Sequence, residues 1–297
     1  MNIIPGGVCA AKGFTAAGVH CGIRKNHTKK DLALIVSEKK GHAAAVYTTN
    51  LVKGAPLDVT KVHISDGCAQ AIICNSGNAN TCNADGIEVA EQTASLVSAA
   101  LNIDASDVVV ASTGVIGQPL DITPIQNGIP ALVQALSDSG SPEAAEAIMT
   151  TDTEKKEIAV EFEISGKTCT LGGIAKGSGM IHPNMATMLV FLPSDAAISS
   201  AMLQKALSGD IQNTFNMISV DGDTSTNDMV SVLANGMAGN APVEEEGEDY
   251  DVFRTALAAV TKGLCRMIAG DGEGASALFE VKVVGAAEKT QARTLAK

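Results

Sequence analysis

Residues 158–192 of the chain read IAVEFEISGKTCTLGGIAKGSGMIHPNMATMLVFL. The first part alternates apolar and polar side chains, which is the period of a strand with one exposed face. Ser165 and Gly166 supply a tight turn, so we expect a hairpin over residues 158–171. The continuous apolar run at residues 188–192 is typical of a strand that is covered on both faces. Between the two lies a glycine-rich stretch with a single lysine, Lys176.

Similar patterns extend on both sides of this stretch. Short apolar runs predict further covered strands at residues 32–36, 71–74 and 108–110, and an alternating segment predicts another strand at 279–284. Apolar side chains at helical spacing predict helices at residues 87–101 and 199–207 and a third that starts near Asp251 and includes residues 253–267, after an acidic loop at 244–249. Each such helix needs a sheet to cover its apolar face. We therefore expect a layered α/β fold with sheets inside and helices outside.

The composition excludes several classes of protein. The chain has 297 residues, of which 45% are hydrophobic and 18% are charged, so it can bury a sizeable core in one large or two ordinary domains. Its net charge of −12 repels phosphate backbones, and no basic cluster carries interleaved aromatic residues, so nucleic acid is not expected as a partner. The one basic cluster, Arg24, Lys25, Lys29 and Lys30, predicts a solvated turn without a function.

Membrane insertion, disulfides and metal sites are not expected either. No apolar run is long enough to span a bilayer, and the first residues lack the segments of a secretory signal, which indicates a cytoplasmic protein. The seven cysteines form no CxxC pair, so neither a disulfide framework nor a zinc site is indicated. Residues 221–228 resemble a calcium loop, but Thr226 stands where the loop needs glycine and Val232 where it needs glutamate. We interpret this segment as a polar turn and a candidate border of a site.

Glycine-containing segments are the candidates for binding sites. The stretch at residues 172–179 fits neither a phosphate loop, because Lys176 precedes its glycine, nor a dinucleotide loop, because His182 stands at the third glycine position. Residues 75–80 and 112–117 each follow a covered strand, where a glycine turn can aim backbone N–H groups at an anion or a developing oxyanion. On the residues alone, either segment can also be an ordinary turn with no binding role. His182, beside Pro183, fits either a structural loop or a catalyst.

Taken together, these motifs resemble the ornithine acetyltransferases, a family that recycles an acetyl group from N-acetylornithine to glutamate in arginine biosynthesis. The stretches KGSGMI (residues 176–181) and PNMATML (residues 183–189) look like the self-cleavage segment of that family. The likeness extends through residues 11–14, 30–34, 48–50, 75–80, 112–117, 149–153, 221–228 and 271–275.

The resemblance implies that the chain cleaves itself between Ala186 and Thr187, and that Thr187 becomes both the new amino terminus and the nucleophile. It implies an oxyanion hole formed by Thr113 and Gly114. The substrate contacts that it implies are Thr150, Lys176, Thr187 and Glu273. The implied fold is an αββα sandwich similar to that of the self-processing aminopeptidases of the DmpA type, with residues 1–186 and 187–297 as the two fragments.

The implied chemistry is physically coherent. A threonine hydroxyl is a poor nucleophile near neutral pH, but an amino-terminal threonine has its own amine beside the hydroxyl as a base. Before cleavage, the same hydroxyl can attack the carbonyl of Ala186 and leave an ester that water opens. Thr187 would then take acetyl from N-acetylornithine and pass it to the amine of glutamate. Lys176 could attract a substrate carboxylate and Glu273 an amine.

The resemblance also bears on cofactors and partners. It implies that no cofactor or metal is needed, that acetyl-CoA is a possible second acetyl donor, and that the two fragments of the chain assemble as a heterotetramer. Family members continue past Lys297 into a small domain that supplies an asparagine and a terminal hydroxyl residue to the substrate site. We therefore expect a fragment, or a truncated protein whose substrate binding is compromised.

Two other functions stay open on the residues alone. A self-processing amidase or aminopeptidase would use the same threonine chemistry but deliver the acyl group to water, and release of acetate without glutamate would favour it. A non-catalytic amino-acid-binding or assembly protein is the other alternative. An uncleaved chain that binds ornithine or glutamate without turnover would favour that function.

Overall fold

The fold is a mixed sheet with helices packed on it, seen in a computed structural model that describes residues 1–181 and 188–296. The strands are β1 (Asn2–Ile4), β2 (Phe14–Val19), β3 (Leu32–Tyr47), β4 (Cys68–Asn78), β5 (Val108–Val115), β6 (Lys156–Ile164), β7 (Lys167–Lys176), β8 (Leu189–Ser194) and β9 (Met229–Ala234). The helices are α1 (Ala55–His63), α2 (Gly86–Leu101), α3 (Ile122–Gln134), α4 (Ser141–Ile148), α5 (Ser200–Asp210), α6 (Glu248–Gly270) and α7 (Lys289–Ala296). In this part of the chain, no helix combines the length and apolar character needed to cross a membrane.

Strand β3 is 16 residues long and joins two halves of the sheet. The strands lie in the order β1-β6-β7-β8-β9-β3-β4-β5, and β2 also pairs with β3. A register shift between Val36 and Gly41 separates the part of β3 that pairs with β2 from the part that pairs with β9. β4 and β5 are parallel, as are β8 and β9, so the carboxyl ends of the two strands in each pair lie side by side.

Within the described residues, three clusters of buried apolar side chains lie between successive layers of the fold. In β3, Leu34 belongs to the cluster beneath α2 and α3, whereas the next residue, Ile35, belongs to the middle cluster. In β8, Phe191 belongs to the same middle cluster and Val190 to the cluster beneath α5 and α6. Because successive side chains of a strand point to opposite faces, both halves of the sheet are covered on both faces. The layers are therefore helix, sheet, sheet and helix, which confirms the predicted αββα sandwich.

Helix α4 packs against the middle cluster of apolar side chains, and its last residues lie beside the end of β4. Its alanines and Ile148 are buried in the middle cluster. Small side chains and glycine allow this close approach, since a Cβ on Gly18 of β2 would lie 2.0 Å from the carbonyl oxygen of Glu143. The Ser76 hydroxyl donates to the carbonyl of Ala147 at 2.6 Å and joins the end of α4 to the end of β4. Residues 149–153, which follow α4, are thereby held near the ends of β4 and β5.

The periodicity of the sequence predicted the main elements well but failed near the end of the chain. Every strand and helix predicted between residues 32 and 267 is confirmed, although α6 begins inside the expected acidic loop. The strand predicted at residues 279–284 is wrong, because that segment is not in a strand and its Phe279 and Val284 side chains are exposed. A strand needs a partner for its backbone hydrogen bonds, and no described strand pairs with this segment. Helix α7 was not expected from the sequence.

Candidate active site

A cavity of about 560 Å³ opens where β4, β5 and β7 end. It is lined by the predicted site residues that the structure describes: Thr113, Gly114, Thr150, Lys176 and Glu273. They come from separate parts of the chain, on two strands and two loops. Parts of residues 221–228 complete the wall, as expected for a polar turn that borders a site. The geometry brings these residues together, while their individual roles stay predictions.

The ends of β4 and β5 approach each other so closely that only glycine fits. Gly77 and Gly114 are partners in the parallel register. Gly114 has a φ of +134°, and a Cβ built on it would lie 2.4 Å from the carbonyl carbon of Gly77. Both facts exclude a larger residue at this position. The backbone beside Thr113 is therefore held in one conformation, which is what an oxyanion hole requires.

Asn227 ties these two strand ends to the polar turn. Its side-chain nitrogen donates to the carbonyl of Ala79 at 2.6 Å and to the carbonyl of Ser112 at 2.9 Å. Its side-chain oxygen accepts from the hydroxyl of Thr81 at 2.6 Å. Asn227 is buried, so these bonds are shielded from water. The cavity wall thus has a rigid hydrogen-bonded frame behind it.

Lys176 contacts the predicted oxyanion residue directly. Its Nζ donates to Oγ1 of Thr113 at 3.0 Å. A hydroxyl that accepts from an ammonium group keeps its own hydrogen available for another acceptor. Thr113 can therefore donate toward an atom in the cavity, and the neighbouring charge strengthens that donor.

A buried ion cluster supports the lining residue Thr150 and the end of β7 from behind the cavity surface. Lys156 is 1% exposed, and its Nζ lies 2.7 Å from Oδ1 of Asp152 and 2.6 Å from Oδ2 of Asp271. The Asp152 carboxylate also accepts the backbone N–H of Gly177 at 2.7 Å and that of Thr150 at 3.0 Å. One carboxylate therefore positions a predicted substrate contact and the residue that follows Lys176.

The charges of this cluster are mutually stabilised. Burial tends to raise the pKa of Asp152, but Lys176 and Lys156 outweigh it and hold that pKa below its usual value. Burial also tends to raise the pKa of Asp271, yet hydrogen bonds from Lys156 and Thr153 lower it to about 2. Both carboxyls are therefore ionised at neutral pH.

Glu273 follows Asp271 by two residues, and its position depends on the same cluster. Its backbone N–H donates to the carbonyl of Ser178 at 3.1 Å, and the Ser178 hydroxyl donates to the carbonyl of Asp271 at 2.7 Å. A Cβ on Gly179 would lie 2.2 Å from Oε2 of Glu273, so glycine is needed there to make room for the carboxylate. The Glu273 side chain is exposed to solvent at the cavity.

The predicted cleavage site, Ala186 and Thr187, lies outside the described residues, as does His182. The nearest described residues on each side are Ile181 and Met188. Both lie next to Gly177, since a Cβ built there would be 3.0 Å from Cδ1 of Ile181 and 3.4 Å from Cβ of Met188. The Asp221 carboxylate accepts the backbone N–H of Ile181 at 2.9 Å. The described flanks of the segment are therefore anchored beside Lys176.

Sequence reasoning missed one residue of this cavity and the burial of another. Arg24, expected in a solvated turn, lines the cavity, whereas its neighbour Lys25 is exposed. Asp228 belongs to the turn that was expected to border a site, but its burial was not predicted: complete burial raises the pKa of that carboxyl well above its usual range. Oδ2 of Asp228 has no hydrogen-bond partner among the described residues. No pattern of charge spacing predicted the burial of either side chain, because burial depends on distant parts of the chain.

The described ranges contain no group of three or more His, Cys, Asp or Glu side chains placed to hold a metal ion.

A model of the ArgJ family matches residues 15–297. The chain belongs to the ArgJ family. It is 50% identical to the arginine biosynthesis bifunctional protein ArgJ of Caldanaerobacter subterraneus subsp. tengcongensis over 298 residues, which cover 100% of this chain and 73% of that protein. It is 52% identical to the protein of the same description from Symbiobacterium thermophilum, over 100% of this chain and 74% of that protein.

Solved structures agree with membership of the ArgJ family. The chain is similar to the ArgJ protein of Bacillus halodurans, with a TM-score of 0.59 and 44% identity over 62% of this chain and 98% of that chain. It is similar to the ornithine acetyltransferase of Mycobacterium tuberculosis, solved with ornithine, with a TM-score of 0.58 and 38% identity over 62% of this chain and 99% of that chain. An aminopeptidase of Ochrobactrum anthropi with an Ntn-hydrolase fold gives a TM-score of 0.51 at 13% identity, over 90% of this chain and 86% of that chain, which supports the fold alone.

Proposed function

We propose that this ArgJ-family chain is an acetyltransferase of arginine biosynthesis that moves acetyl from N-acetylornithine to glutamate through an ester on Thr187. The observation that carries the proposal is the single cavity that gathers Thr113, Gly114, Lys176 and Glu273. Membership of the family supports it, because the relatives are bifunctional proteins of arginine biosynthesis and one solved relative is an ornithine acetyltransferase.

The proposal includes self-cleavage into fragments 1–186 and 187–297. The Thr187 hydroxyl attacks the carbonyl of Ala186, the acyl chain moves from nitrogen to oxygen, and water opens the resulting ester. The lengths of the solved relatives support this division. Each is matched almost whole by 62% of the 297 residues, or about 184 residues, which is close to the length of the first fragment.

In the first half-reaction, the free amine of Thr187 takes the proton of its own hydroxyl while the oxygen attacks the acetyl carbonyl of N-acetylornithine. A tetrahedral oxyanion forms, and the Thr113 hydroxyl and the backbone N–H of Gly114 donate to it. The carbon–nitrogen bond then breaks, the leaving amine takes the proton back, and ornithine departs. The contact from Lys176 suits Thr113 to this task, because it leaves the threonine hydrogen free to donate.

In the second half-reaction, the amine of glutamate attacks the acetyl ester through a similar oxyanion. The carbon–oxygen bond breaks, the proton returns to Thr187, and N-acetylglutamate leaves. Lys176 pairs with the α-carboxylate that both amino acids carry, and Glu273 attracts the side-chain amine of ornithine. Thr150, held by Asp152, contacts the substrate beside them.

Further parts of the proposal concern donors, assembly and location. The transfer needs no cofactor or metal, because the nucleophile and its base belong to one residue. Acetyl-CoA is a possible second donor of acetyl. We propose that the two fragments assemble as a heterotetramer in the cytoplasm, where a biosynthetic enzyme of amino acids meets its substrates.

The test is acetyl transfer by the purified protein, together with its intact mass. We expect two fragments that meet at Ala186 and Thr187, and N-acetylglutamate formed from N-acetylornithine and glutamate. Thr187→Ala should abolish both cleavage and transfer, whereas Thr187→Ser, which keeps a hydroxyl, should retain part of each. Cleavage of Thr187→Ala at the same bond would disprove a shared nucleophile. Acetate release that does not depend on glutamate would instead indicate an amidase.

A further inference from the structure

The cavity contains a second cation, Arg24, that the proposed transfer does not use. It lies in the loop between β2 and β3. This loop is folded around the fully buried carboxylate of Asp31, which accepts backbone N–H groups of Cys21 at 2.6 Å, Gly22 at 3.2 Å and Arg24 at 2.9 Å. The backbone of Arg24 is therefore held in place by Asp31. The Arg24 side chain is partly buried, whereas that of the next residue, Lys25, is exposed.

The side chain of Arg24 runs along the cavity wall between two parts of the site. A Cβ on Gly77 would lie 2.8 Å from Cγ of Arg24, so the arginine stem packs directly over this glycine. Gly77 is the register partner of Gly114, the predicted oxyanion residue. At its other end, the guanidinium donates through Nη2 to the carbonyl of Met149, the residue before Thr150. The guanidinium thus lies beside a predicted substrate contact.

The charge of Arg24 has no carboxylate paired with it among the described residues. Its Nε is buried and has no hydrogen-bond partner in that part of the chain. The nearby carboxylates already have other donors: Asp31 accepts the loop N–H groups, and Asp152 accepts Lys156 and two backbone N–H groups. Burial lowers the pKa of Arg24, against the opposing effect of Asp31 and Asp152. Guanidinium nevertheless stays charged at neutral pH. An incompletely paired cation of this kind favours an anionic ligand.

We propose that Arg24 binds the side-chain carboxylate of the acceptor amino acid and so selects glutamate in the second half-reaction. The inference rests on the proposed function. N-acetylornithine and glutamate share an α-carboxylate, which Lys176 can take, but only glutamate carries a second one. The planar fork of arginine suits a carboxylate better than a single ammonium does. The cavity then offers Glu273 to the cationic side chain of ornithine and Arg24 to the anionic side chain of glutamate.

The test compares glutamate with glutamine, which has nearly the same shape but lacks the side-chain charge. In Arg24→Gln, kcat/KM for glutamate should fall roughly ten- to a hundredfold, since a hydrogen-bonded charge pair is lost. The value for glutamine should change little, so the preference for glutamate collapses. Acetylation of the protein by N-acetylornithine, measured as ornithine released in the first turnover, should fall much less than acceptance by glutamate. Arg24→Lys keeps the charge without the fork and should show an intermediate preference.

Lys25→Gln is the matched control, because it removes an exposed charge from the adjacent position and should behave as the unsubstituted protein. An equal loss with glutamate and glutamine, or an equal loss in both half-reactions, would overturn the inference and leave Arg24 a structural residue. If Arg24→Gln does not fold, an unchanged glutamate preference in Arg24→Lys would overturn it equally. Failure of the unsubstituted protein to transfer acetyl to either acceptor would instead overturn the proposed function.

Discussion

Two parts of the cavity lining are held in place by different physical means. On one side, Gly77 and Gly114 form a glycine wall, where the backbones of β4 and β5 touch and no side chain fits between them. Behind Thr150 and Gly177, Asp152, Lys156 and Asp271 form a support that we call the ionic wall, where one buried ammonium joins two carboxylates. The glycine wall depends on steric exclusion, which is indifferent to pH. The ionic wall depends on charge, so its stability must respond to pH.

The largest expected effect is the loss of the cation that joins the ionic wall. Lys156→Met keeps the stem but leaves the buried Asp152 carboxylate and the partly buried Asp271 carboxylate without their partner. Removing one partner of a buried ion pair costs about 3–5 kcal/mol. We expect a fall of that size in the free energy of unfolding, measured by urea denaturation at neutral pH. Lys155→Met, at the exposed neighbouring position, is the control and should change stability by less than about 0.5 kcal/mol.

The glycine wall should respond in activity more than in stability. Gly114→Ala places a Cβ where only 2.4 Å separates it from the Gly77 backbone, so the strand ends must move apart. The displaced Gly114 N–H should reduce transfer roughly a hundred- to a thousandfold in kcat. Gly117→Ala is the matched control, because Gly117 also has a positive φ of +77° but open space around its Cβ position. Equal losses in the two variants would assign the effect to backbone strain and not to the close approach.

A smaller change on the same side removes only one donor of the predicted oxyanion hole. Thr113→Ala should slow transfer by a factor between roughly ten and a thousand, while KM for N-acetylornithine changes little, because the donor acts on the transition state. Thr113→Ser keeps the hydroxyl that accepts from Lys176 and should retain most of the activity. A Thr113→Ala variant as active as Thr113→Ser would show that this hydroxyl does not stabilise the oxyanion.

The smallest expected effect concerns the pH response of the ionic wall. Asp271→Asn leaves Lys156 its second partner, Asp152, so it should cost less than removal of the lysine. The pKa of Asp271 is lowered to about 2 in the folded protein, below its value of about 3.9 in an unfolded chain. Its stabilisation is therefore complete above about pH 4 and is lost as the pH falls toward about 2. The stability difference between Asp271→Asn and the unsubstituted protein should shrink over that interval in denaturation curves. A constant difference would contradict the ionic account.

Periodicity predicted the layers because the spacing of apolar residues within each strand or helix indicates which of its faces is buried. The alternation from 158 to 164 and the helical face of residues 253–264 are local signals, and burial matched them, whereas Met267 at the end of the predicted face is exposed. The segment 279–284 has the same alternation, yet a strand also needs a partner, which is not a local property. The site residues were recognised by family resemblance, since turns such as 112–117 look ordinary on composition alone.

The remaining residues of the site could not be predicted because their roles arise from long-range contacts. Lys156 and Asp271 are 115 residues apart in the chain, and no spacing rule connects them. Arg24 looked like part of a solvated basic turn, but the packing of its stem on Gly77 and its contact with the Met149 carbonyl place it at the cavity. A cluster of buried charges brings together residues from distant parts of the chain, so no local pattern predicts it. The apolar face of a helix or strand, in contrast, is a pattern within one segment.

The central claim is that acetyl passes through Thr187 in this cavity. The most direct measurement is the mass of each fragment after incubation with N-acetylornithine and without glutamate. We predict one acetyl group on the fragment that begins at Thr187, located to that residue by peptide mapping and lost when glutamate is added. An unmodified fragment, while N-acetylglutamate still forms when both substrates are present, would contradict the account. Acetylation of the Thr187→Ala variant to the same extent would contradict it as well.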